Sequence, residues 1–84
     1  MMKFTQHALD KLDLYCIPTQ VIADECKHAI HEFYDEKEHS NIKIIHVKGV
    51  LLALVIDPVT DDLITIYRTD EKTINNRRKA KRWV

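Results

Sequence analysis

Apolar residues in the first part of the chain recur at helical spacing. Phe4, Ala8, Leu12 and Tyr15 are four, four and three residues apart, which puts them on one stripe of a helix. Thr5 stands where an N-cap belongs, so a first helix is predicted from there to about Tyr15. Cys16-Ile17-Pro18 ends it, because proline disfavours helical geometry in the residue before it and suits the first turn of a new helix. A second helix is predicted from about Pro18 to Ala29 or beyond. Val21, Ile22, Cys26, Ala29, Ile30 and Phe33 form its apolar face. Its end stays open in the pattern, since residues 31–36 fit a strand equally well. Residues 35–41 are polar and read as a turn or loop.

From Ile42 the period shortens to two. Residues 42–47 alternate as a strand, and Lys48-Gly49 is a two-residue hairpin turn in which glycine accepts a positive φ. Val50–Ile56 is apolar throughout, as expected of a central strand covered on both faces. Residues 57–62 are turn formers. Residues 63–68 form the closing strand, with Leu63, Thr65 and Tyr67 on one face and Ile64, Ile66 and Arg68 on the other. Thr69 or Asp70 caps a last helix, about residues 70–83, whose only apolar contacts are Ile74, Ala80 and Trp83. The expected architecture is one α+β domain over residues 1–84. It has two N-terminal helices, an antiparallel sheet of three to four strands, and a C-terminal basic helix.

Length and composition narrow the classes. The chain has 84 residues, too few for two cores. Gly49 is the sole glycine, which excludes Gly-rich phosphate loops and with them nucleotide-driven motors and Rossmann enzymes. Apolar runs are too short to span a membrane, and the N-terminus lacks an apolar signal core. A cytoplasmic protein with reduced thiols is therefore expected, with no membrane partner. Cys16 and Cys26 match no zinc spacing. His28 and His31, with Glu32 beside them, make half a metal site without further ligands, so no metal and no cofactor is expected. Ser40 is the sole serine and sits in a polar stretch, which argues against a serine hydrolase.

Net charge is zero, with thirteen cationic and thirteen acidic residues, but the distribution is dipolar. Residues 68–84 hold seven basic and two acidic side chains, and residues 1–67 hold six and eleven. Arg77, Arg78, Lys79, Lys81 and Arg82 cover most of the predicted last helix. That density calls for an anion nearby, and RNA phosphate is one candidate. The other is acidic protein surface. The chain's own Asp24, Glu25, Glu32, Asp35, Glu36 and Glu38 supply one, and a protein partner could supply another.

The phrase Phe4-Thr5-Gln6-His7-Ala8-Leu9-Asp10-Lys11-Leu12, followed by Ile17, resembles the opening of a small uncharacterised bacterial and phage family, Phe-Ser-x-His-Ala-x-x-Arg-Met-x-x-Arg-Gly-Ile. That family closes its sheet with Ile-Thr-Val-Tyr, where this chain has Ile64-Thr65-Ile66-Tyr67. The likeness covers about residues 4–68. Lys11 replaces the family's first arginine, Tyr15 its second, and Cys16 its glycine. The family is grouped with RelE/ParE-like toxins and with metal-independent ribonucleases of the barnase, colicin and RelE type. The resemblance thus implies a RelE-like fold and an RNA-directed activity.

Metal-independent RNA cleavage needs a proton acceptor, a proton donor and cations at the phosphate. The resemblance and the spacing nominate His7 as acid or base, Lys11 one helical turn on, Thr65 and Tyr67 as hydrogen-bond donors, and Arg68 as a clamp. Two readings stay open. One is an RNA-binding protein like the toxin-type endoribonucleases, with an antitoxin as partner. The other is a non-catalytic phage or mobile-element module that docks on a host protein, which loss of both motif arginines favours. Exposed sheet edges also admit a homodimer.

Overall fold

A computed structural model describes residues 2–84. The elements are α1 (Gln6–Leu14), α2 (Thr19–Cys26), β1 (His31–Asp35), β2 (Ser40–Val47), β3 (Val50–Ile56), β4 (Leu63–Thr69) and α3 (Glu71–Lys79). The strands form one antiparallel sheet in the order β1-β2-β3-β4. The expected α+β class holds, and the pairs α1/α2 and α3 take opposite faces of the sheet.

Each face carries its own core. On the first, Ala8 and Leu12 of α1 and Ile22 and Cys26 of α2 pack on Ile45, Leu52, Leu54, Ile56, Leu63 and Ile66. On the second, Ile74 of α3 and Trp83 pack on Ile42, Ile44 and Ala53. A side chain of this size contributes roughly 1.5–3 kcal/mol when fully buried. β3 serves both cores, which is why it is apolar at every position. The Lys48-Gly49 turn has φ of 50° and 79°, the geometry a tight hairpin demands.

The helix caps follow the sequence. Thr5 Oγ1 accepts from the Ala8 amide at 3.1 Å and donates to the Ile64 carbonyl at 2.7 Å, so one side chain caps α1 and ties it to β4. Asp70 caps α3 through the Thr73 amide at 2.7 Å.

Four details depart from expectation. α2 ends at Cys26, and residues 31–35 are a strand. Phe33 therefore belongs to the second core, stacked on Trp83 with centroids 5.4 Å apart, rather than to a helix face. The closing strand carries an extra residue: Val55 pairs with Thr65 and Ile56 with Leu63, so Ile64 is a bulge. That bulge moves Leu63 to the face of Ile66, away from Thr65 and Tyr67. α3 stops at Lys79, short of Trp83. Lys81 adopts φ 59°, with Lys81 N–H bonded to the Arg78 carbonyl and Arg82 N–H to that of Arg77, a left-handed helix stop. The chain then reverses. Val84 exchanges backbone bonds with Tyr34, and Glu36 N–H donates to the Arg82 carbonyl, which partly closes the β1 edge. Residues 3–5 do the same at the start of β4. No helix of the described residues is long and apolar enough to cross a membrane.

Candidate phosphate-binding groove

Asp35 organises the second face. It ends β1 with its carboxylate inward and is 1% exposed. Its Oδ1 accepts the Lys37 and Glu38 amides, each at 2.9 Å, which forms the β1–β2 turn. Arg82 Nε reaches both carboxylate oxygens, at 3.2 and 3.1 Å, and Trp83 Nε1 donates to Oδ2 at 2.9 Å. Burial alone would raise the Asp35 pKa. The Glu38 amide, the Trp83 indole, the Lys37 amide and the Arg82 charge together outweigh it and hold the group below its usual value. The expected docking of the basic segment on the chain's own acids is thus made by Asp35, with Glu38 at 3.9 Å from the other end of Arg82. Glu32 instead pairs with Lys43.

Beside this clasp lies a groove of about 570 Å³. Its floor is the second sheet face, with Ser40, Ile42, Val55, Thr65 and Tyr67. Arg77 and Arg82 line it from the C-terminal side, and Glu38, His39, Asp57 and Pro58 from the two loops at that end of the sheet. Thr65 and Tyr67, two residues apart on β4, share this floor, and the bulge at Ile64 takes Leu63 off it. Among the described residues, two buried polar atoms here have no hydrogen-bond partner, Ser40 Oγ and Arg77 Nε. Ser40 is 2% exposed. Unpaired buried polar groups are costly, and both residues line the groove, so a ligand seated there would meet unused hydrogen-bonding capacity.

Burial pushes the Tyr67 pKa up, against the lowering effect of Arg77 and Arg82, so its hydroxyl stays a neutral donor. The amides of Thr60 and Val59 hold the Asp57 carboxyl below its usual range, and both bond to Oδ1. His39 Nδ1 lies 3.3 Å from the Tyr34 hydroxyl. Arg77 also stands over the Trp83 ring at 5.5 Å, which fixes its guanidinium against the groove wall.

The nominated residues divide between the two faces. Thr65, Tyr67, Arg77 and Arg82 come together. His7 and Lys11 project from α1 on the other side of the sheet, where His7 is exposed and Lys11 Nζ lies 5.7 Å from the Tyr15 ring centroid. Arg68 pairs in register with Leu52 and shares that first face. Arg78 sits over Phe33 at 5.8 Å, and Lys79 lines a shallow cleft with it. Lys81 is exposed. Sequence reasoning assigned no site role to His39, Ser40 and Asp57, and named Glu38 only as part of the acidic surface. Their loops are brought together only by strand pairing, and Ser40 read as loop because its burial depends on Asp35 opposite it. Among the described residues no three His, Cys, Asp or Glu side chains cluster to hold a metal. Comparison with known families, curated proteins and solved structures finds no match for the chain.

Proposed function

We propose that this is a small RNA-binding protein that cleaves RNA without a metal, in the manner of toxin-type endoribonucleases, and that the groove is its site. The observation that carries this reading is the convergence of an unpaired Arg77 Nε and an unpaired buried Ser40 hydroxyl with Thr65 and Tyr67. Together they offer a guanidinium and three hydroxyl groups to one phosphate. Proton transfer falls to the groove's own loops rather than to His7 and Lys11. Asp57, held ionised, accepts the proton of the ribose 2′-OH as that oxygen attacks phosphorus. His39, in its protonated form, gives a proton to the departing 5′ oxygen, which leaves a cyclic phosphate. Arg77 and Tyr67 stabilise the charge that builds on the phosphoryl oxygens. Arg78, Lys79 and Lys81, exposed and without ion pairs among the described residues, hold flanking phosphates.

The test is cleavage of single-stranded RNA in chelator, wild type beside His39→Ala, Asp57→Asn and His7→Ala. The first two variants should lose at least about 100-fold in rate, and His7→Ala should stay near wild type. Arg77→Ala should reduce the salt slope of RNA binding by about one. Absence of both RNA binding and cleavage by the wild type at about 50 mM salt would sink the reading. A second reading is a non-catalytic module that docks on a host protein. It draws on the pairing of Arg82 with Asp35 and Glu38, which withdraws one of the groove's two guanidinium groups from phosphate. RNA binding without cleavage, or neither, moves the assignment toward it.

A further inference from the structure

The helical layer on the first face stops short of the β2–β3 hairpin. α1 has nine residues and α2 eight, so each is about 12–14 Å long, whereas the seven residues of β3 extend about 23 Å. The uncovered end is a pocket of about 330 Å³ between the α1–α2 connection and the hairpin. Tyr15, Ile17, Val47 and Val50 line it, all partly buried at the margin of the first core, with Leu52 beneath. Two cations, Lys48 and Arg68, also line it, and among the described residues no carboxylate does. Among the described residues neither cation is in an ion pair. The position of Arg68 is set by its register opposite Leu52, at the end of an otherwise apolar face.

A mostly apolar pocket with a few convergent polar groups is the usual form of a small-molecule site. An arginine fork matches a carboxylate, and the aliphatic walls match a hydrocarbon chain. We propose that this pocket binds a small amphipathic carboxylate, its head on Arg68 and Lys48 and its aliphatic tail along Ile17, Val47 and Val50. The site is separate from the groove and independent of its function.

The probe is decanoate below its micelle concentration, followed by amide chemical shifts, with decanol and decyltrimethylammonium in parallel. Decanoate should saturate, with shifts confined to residues 15–17, 47–52 and 68. Decanol should bind about tenfold more weakly, and Arg68→Gln should weaken decanoate by about the same factor. Arg68 is exposed, so that variant folds, and its unchanged spectrum elsewhere checks this. The proposal is overturned if decanoate does not saturate, if the shifts lie elsewhere, or if decanol or the cationic surfactant binds as tightly.

Discussion

Asp35 shows how one buried charge can organise a region. Its four donors come from three places: the turn that follows it, Arg82 and Trp83. Removing the carboxylate leaves Arg82 and two turn amides without their acceptor. Asp35→Ala should therefore cost about 3 kcal/mol at pH 7, read by urea unfolding followed by far-UV circular dichroism. The folded-state pKa lies below the unfolded one. The stabilisation is thus complete above the unfolded carboxylate value, about 3.9, and is lost as pH falls through the lower folded value. Wild type and Asp35→Ala should accordingly draw together in stability as pH falls below the unfolded carboxylate value. A gap that stays constant with pH would show that the carboxylate contributes packing and not charge.

At the scale of elements, helix ends matter as much as helix faces. α1 closes as α3 does. Cys16 has φ 57°, its N–H bonds to the Asp13 carbonyl, and Ile17 N–H bonds to that of Leu12. This left-handed position favours glycine, because a Cβ there crowds the backbone. Cys16→Gly should raise stability by about 1 kcal/mol, and Cys16→Val should lower it, since a β-branched residue tolerates positive φ worst. Thermal melts of the two variants check both signs. The strands show the same dependence on local geometry. Without the bulge at Ile64, Leu63 would share a face with Thr65 and Tyr67 and be lost to the first core.

Across the whole molecule, the sheet is a partition with a core on each side. β2 and β3 contribute to both, so the two cores should melt together. Trp83→Ala on one face should cost about 4 kcal/mol and lower the midpoint by roughly 20 °C. Near- and far-UV signals should still coincide in one transition. Separate transitions would mean that the α3 layer folds independently of the α1/α2 layer. The same partition sorts the candidate site residues. It gathers Thr65, Tyr67, Arg77 and Arg82 into one groove and keeps His7, Lys11 and Arg68 outside it.

The sequence by itself determined what depends on neighbours a few residues away. The helical stripe of α1, the cap at Thr5, a cap at Thr69 or Asp70, the Lys48-Gly49 hairpin and the buried run of β3 all follow from local period and turn chemistry. So does the charge asymmetry: the surplus of cations does lie in residues 68–84. Tertiary structure decided what depends on distant partners. Residues 31–35 became strand because β2 offered hydrogen bonds and Trp83 a stacking surface for Phe33. The last helix stopped at Lys79 because Asp35, 47 residues away, captures Arg82. His39, Ser40 and Asp57 became groove residues because antiparallel pairing sets the β1–β2 and β3–β4 loops at one end of the sheet. No local pattern encodes such meetings, since their energy is realised only when the strands pair.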